Sequence, residues 1–142
     1  MKKRSFFLGL ILMVLIPGFL GTARSQAFGE EPASFSPSIE KAVMCETMTG
    51  FLPQNASLVF SISIGKVVCF TSFNQVPREM LVYHAWYRKD QLSTKRKLVL
   101  KPPQWAAFTE IQLRETDKGP WRVEVTDDNG NILKILRFSI TD

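Results

Sequence analysis

Residues 120–127, PWRVEVTD, alternate without a slip. Trp121, Val123 and Val125 take one side; Arg122, Glu124 and Thr126 take the other. Successive side chains of a strand point to opposite faces, so this parity describes an extended chain with one face in a core. Asp128-Asn129-Gly130 follows, a triplet whose Asn and Gly tolerate positive φ and so favour a tight turn. Residues 131–141 then return, with Ile135, Phe138 and Ile140 offering apolar contacts.

The chain before this hairpin reads the same way. Residues 41–48, 57–62, 66–73, 80–89, 92–101 and 104–113 are short runs without helical periodicity, separated by turn signals such as Pro77 and Pro102-Pro103. The run KVVCFTSF is rich in β-branched and aromatic residues. About seven to eight short antiparallel strands predict an all-β domain, an immunoglobulin-like β-sandwich.

The N-terminal residues read differently. Lys2, Lys3 and Arg4 precede an apolar run from Phe6 to Leu20, and Ser25-Gln26-Ala27 has the small-x-small form of a signal-peptidase site; Gly21-Thr22-Ala23 is a second candidate. The run is shorter than the roughly 18–20 residues that cross a bilayer comfortably. Residues 1–27 are therefore expected to be a cleaved signal peptide rather than a retained anchor. Residues 28–40, rich in Pro, Ser and Glu, are expected to be a flexible lead-in, and 41–142 a single sandwich domain. The expected location is the periplasm or the exterior, with membrane tethering if the signal is kept.

Export alters the charge argument. The chain carries 18 Lys and Arg against 13 Asp and Glu, a formal +5. Lys2, Lys3, Arg4 and Arg24 precede the cut, and 18 less four leaves 14 cations against 13 acids. A near-neutral domain is a poor holder of a phosphate backbone, so nucleic acid is not expected as a partner. Cys45 and Cys69, in an exported chain, are expected to pair; two buried thiols are the alternative. A bridge would be worth roughly 3 kcal/mol in the chain-entropy picture. One histidine and two distant cysteines make no zinc pattern, and no metal or cofactor is expected.

LVYHAWYRK, residues 81–89, holds the only histidine, His84, among Tyr83, Trp86 and Tyr87. Neither parity of this strand is simply polar, which predicts a central strand covered on both sides. His84 and Trp86 are then core, although a ligand-facing role is open to both. VVCFTSF, VYHAWYRK, KGPWRVEVTDDNGNIL and a final RFSI together resemble the bacterial domain-of-unknown-function family 2914. The resemblance rests on Phe70-Thr71, on Tyr83, His84, Trp86 and Tyr87, and on Gly119 with Trp121 to Val125, and covers residues 42–140. Family members tend to carry a tryptophan–arginine tract where this chain has Trp105-Ala106-Ala107-Phe108-Thr109-Glu110. The resemblance implies an exported or membrane-tethered domain and brings no activity with it.

Catalysis has little to stand on. The one evident base is His84, and there is no Gly-x-Ser-x-Gly elbow, no HExxH, no phosphate loop and no GxGxxG. Binding has more. Arg88, Lys95, Arg96 and Lys97 belong to a cation-rich stretch suited to anionic envelope components, although a lysine-guarded sheet edge is the favoured reading of it. Trp121 is expected in the core, and Trp105, just after Pro102-Pro103, at least partly in solvent. Asp127, Asp128, Asn129 and Asn131 read as a hairpin turn rather than a calcium loop. The expectation is a non-catalytic envelope-binding domain whose partner is a protein, a glycan or an anionic lipid headgroup. A structural or self-associating module is the alternative, and a His84 hydrolase a more distant one.

Overall fold

The computed structural model describes residues 36–142. The expected signal peptide 1–27 lies outside the described residues, as does most of the expected lead-in. Ten strands follow in order: β1 (Ser38–Cys45), β2 (Thr47–Thr49), β3 (Leu52–Gln54), β4 (Val59–Ser61), β5 (Lys66–Asn74), β6 (Met80–Arg88), β7 (Gln91–Leu100), β8 (Trp105–Gln112), β9 (Gly119–Asp127) and β10 (Ile132–Thr141). Among the described residues the only helical elements are two single 3-10 turns, Ile62–Ile64 and Glu115–Asp117. Ser38 already sits opposite Asn74, so the sheet begins inside the segment expected as lead-in.

Strands β1, β5 and β8 form one sheet, in that order with β5 central; β4, β10, β9, β6 and β7 form the other. Every pairing is antiparallel except β4 with β10, which is parallel at Ser139–Thr141. The sheets share a core. Met44, Val67 and Cys69 from the first meet Trp86, Trp121, Val123 and Phe138 from the second. Phe138 organises the aromatic part: Trp121 stacks on it at 6.2 Å, and Trp86 and Phe60 meet it edge-on at 6.1 Å. Edge and offset geometries of this kind align ring edges with ring faces.

The parity of β9 is as the sequence reads: Trp121, Val123 and Val125 are buried. Its turn is closed by Gly130 at φ +83°, the left-handed region that a side chain would strain. Ile135 departs from expectation. It stands three residues before Phe138 in an unbroken register, so it takes the opposite parity: Phe138 and Ile140 point inward while Ile135 faces out.

The pair expected from Cys45 and Cys69 is not formed; both thiols are free and buried. The register explains it. Cys69 lies opposite Met44, and Cys45 opposite Val68, so the two side chains leave the sheet on opposite faces. Cys69 enters the core between the sheets. Cys45 points to the outer side, where its Sγ meets the Thr47 carbonyl at 3.5 Å and Met48 Sδ at 3.8 Å. The β2–β3 hairpin, absent from the sequence reading, lies there. Phe51 from its turn packs edge-on against Phe108 at 6.2 Å.

Candidate functional site

Strand β6 sits between β9 and β7 and carries the stretch that gathers most of the candidate chemistry. Val82, His84 and Trp86 share its inward parity, and each is fully buried. The imidazole is held between two hydroxyls of the facing sheet. Thr71 Oγ1 lies 3.0 Å from Nε2, and Thr109 Oγ1 lies 2.8 Å from Nδ1. In either neutral tautomer one ring nitrogen donates and the other accepts, and a hydroxyl can answer each. Trp86 Nε1–H donates to the same Thr109 oxygen at 3.1 Å. Burial pushes the His84 pKa down to about 4, so the ring stays neutral at ordinary pH. A neutral imidazole sealed from solvent, with both nitrogens engaged, has no path to a substrate. Of the candidate binding residues, His84 and Trp86 thus belong to the polar centre of the core.

The other parity of β6 corrects the expectation of a strand covered on both sides. Tyr83 and Tyr87 are half-buried on the outer face of the five-stranded sheet; only Ala85 between them is buried. Each tyrosine carries a cation. Lys95 Nζ lies 4.4 Å from the Tyr83 ring centre, and the Arg122 guanidinium 4.2 Å from that of Tyr87. Lys97 stands directly across from Tyr83, and Arg137 across from Arg122. Arg122 is also tied down by Glu124 at 2.9 Å and by Asp90. Its side chain is held in place, whereas Lys95 and Lys97 are exposed and form no ion pair among the described residues.

The remaining candidates are scattered. Strand β7 is a sheet edge, as its lysines suggested. Arg96 lies opposite His84, but on that edge its side chain reaches solvent. Arg88 emerges at the end of the sandwich. Trp105 is 37% exposed, as its position after the prolines implied, with Lys101 Nζ 5.9 Å from its ring. It opens β8 on the other sheet, so it does not join the β6–β7 face. The Asp127 cluster is a turn. Its carboxylate accepts from the backbone N–H groups of Asn129 and Asn131 and from Asn131 Nδ2, each at 2.9 Å. Burial would raise its pKa, but these bonds, led by those of Asn131, hold it below the usual carboxylate range. Among the described residues no group of three His, Cys, Asp or Glu is placed to hold a metal ion.

Sequence reasoning overlooked Tyr83, Tyr87, Arg122 and Arg137 as one surface. The polar parity of β9 marked Arg122 as outward, but nothing local placed it beside Tyr87. It also overlooked Thr71 and Thr109 as the partners of His84, although Thr71 stood inside a quoted motif.

No curated protein matches the chain. Among solved structures, the crystal structure of the Bifidobacterium adolescentis GH3 beta-glucosidase aligns with a TM-score of 0.39 and 16% identity. The alignment covers 74% of this chain, and the chain spans 17% of the length of that one. Residues 79–140 match the model of the family described as Protein of unknown function (DUF2914), and this bears out over β6 to β10 the resemblance carried by Tyr83, His84, Trp86 and the block from Gly119 to Val125.

Proposed function

We propose that this domain is an exported, non-catalytic binding module of the bacterial cell envelope, and that it meets an anionic envelope component on the outer face of its five-stranded sheet. The observation that carries this reading is the pairing of two unneutralised cations, Lys95 and Lys97, with the partly exposed Tyr83 ring, next to a Tyr87 ring covered by the ion-paired Arg122. Ammonium groups supply attraction to phosphate or carboxylate, and the rings supply flat apolar area for a sugar or an acyl-linked glycerol. The N-terminal charge and apolar pattern supports export. The placement of His84 in the core supports binding over a hydrolase that would use it as a base.

The test is retention from a cell-envelope extract by the immobilised protein, beside a folded variant carrying Lys95→Gln, Arg96→Gln and Lys97→Gln. A glycan or lipid retained by the first and lost from the second is the expected result. Equal retention by both would remove the site from this face.

A self-associating module is the second reading, and one observation favours it. Leu58 is 71% exposed, Val59 55% and Ile135 38%, and Leu58 and Ile135 line an apolar groove with residues of β1. Concentration-dependent dimerisation in sedimentation, with no retained envelope component, would support this reading instead.

A further inference from the structure

Where the β6–β7 hairpin meets the Glu115–Asp117 turn, the sandwich ends in a cavity of about 210 Å³. Arg88, Lys89, Gln91, Ser93, Arg114 and Asp117 line it. Arg88 continues the inward parity of His84 and Trp86, and its strand position is opposite Trp121. Its Nε is buried with no hydrogen-bond partner among the described residues. Neither Arg88 nor Lys89 forms an ion pair among those residues.

The one carboxylate at the cavity is already committed. Asp117 accepts from the Arg114 backbone N–H at 2.7 Å, from its Nε–H at 3.2 Å and from its Nη2–H at 3.3 Å. Three cations against one carboxylate leave a surplus of two positive charges around the opening. A buried guanidinium donor is costly unless an acceptor answers it, and an anionic acceptor answers the charge as well. The hairpin that brings the cations there has a two-residue loop, Lys89-Asp90, between Arg88 and Gln91. Both residues adopt left-handed backbone, φ +48° and +62°, as a tight two-residue hairpin turn requires, and this fixes Arg88 and Lys89 at the mouth of the cavity.

We propose that this cavity binds a phosphate monoester group, with Arg88 and Lys89 as its principal contacts and Arg114 held at the rim by Asp117. A monoester dianion matches the surplus of two charges, and guanidinium and ammonium donors suit phosphoryl oxygens. Ser93 and Gln91 add neutral hydrogen-bonding groups to the lining. Arg88 sets the site on the opposite parity of β6 from the outer face, while Lys89 also borders the pocket of Tyr87, Arg122 and Arg137; the proposal does not depend on the function assigned to that face. Such a group could arrive on a soluble metabolite or on a lipid headgroup, and both present the same oxyanion.

The experiment is amide NMR of the full-length protein, titrated first with glycerol 3-phosphate and then with phosphatidylcholine vesicles containing phosphatidic acid. Saturable shifts or broadening at residues 88–93 and 114–117 are expected. Response to the soluble ester identifies a free ligand; response to the vesicles alone identifies a headgroup. Arg88→Met, which keeps the apolar stem, is expected to weaken binding about tenfold by removing a charge-assisted contact. If that variant does not fold, Lys89→Gln in the exposed turn tests the same site and is expected to weaken binding several-fold. Neutralising Lys95 and Lys97 is expected to leave these shifts in place. Failure of both probes to give saturable shifts would overturn the proposal, as would unchanged affinity in the Arg88 and Lys89 variants. Shifts confined to β7 and the tyrosine face would also overturn it while leaving the outer-face reading intact.

Discussion

The two faces of β6 carry similar side chains to opposite ends. Inward, His84 and Trp86 are fully buried and share Thr109 as a hydrogen-bond partner. Outward, Tyr83 and Tyr87 are only partly buried and take cations from β7 and β9. The difference lies in what faces each side. The inner side meets a second sheet that supplies hydroxyls at fixed positions, and the outer side meets only its own neighbours. An aromatic, polar-rich strand is therefore neither core nor binding face by composition. The opposing layer decides.

The sharpest way to break this contrast is to truncate one ring on each side. Trp86→Ala is expected to cost about 3–5 kcal/mol, since it empties the contact with Phe138 and frees the Thr109 hydroxyl. Tyr87→Ala is expected to cost about 1 kcal/mol or less, from a half-exposed ring and its Arg122 contact. Urea unfolding of the two variants measures the gap, and equal losses would end the distinction between the faces.

The next effect is a pH dependence. The unfolded chain protonates His84 near 6.5, the fold only near about 4. Between those values the unfolded state binds more protons, so stability falls as pH drops through that window. The loss attributable to His84 approaches roughly 3 kcal/mol at its lower end. Unfolding midpoints at pH 7 and pH 4.5 are expected to differ by more in the natural protein than in His84→Gln. An identical pH response in both would place the acid sensitivity in the carboxylates instead.

The smallest effect separates the two hydroxyls. Thr109→Val strands two buried nitrogens, His84 Nδ1 and Trp86 Nε1, and is expected to cost about 2 kcal/mol. Thr71→Val strands only Nε2 and is expected to cost about 1 kcal/mol. Chemical denaturation of the pair gives the order, and reversal would mean that Trp86 finds another acceptor.

Much of the architecture was legible because strands announce themselves by parity and turn residues. The spans read for β5 to β9 lie within one or two residues of the observed ones, and Trp121 and Trp105 fall where their neighbours implied. What escaped depends on pairs that are distant in sequence. Cys45 and Cys69 were expected to pair and do not, because whether two cysteines share a face is settled by the β1–β5 register, which no local pattern encodes. Strands β2 and β3 were missed because three residues, one of them Pro53, carry no readable period. The motifs Phe70-Thr71 and Tyr83-His84-x-Trp86 were visible separately. Their physical link, a threonine of one sheet bonded to the histidine of the other, appears only once the sheets are stacked.

The separation of the two thiols makes the domain independent of an oxidant. With no cross-link to form, its fold is equally available in a reducing cytosol and in an oxidising compartment, and reductants leave its core untouched. Cys69 then acts as a clock. Burial raises its pKa far above neutral and keeps the reactive thiolate out of reach. Alkylation of Cys69 can proceed only as fast as the two sheets part, and its labelling rate reads the opening of the sandwich without any engineered probe.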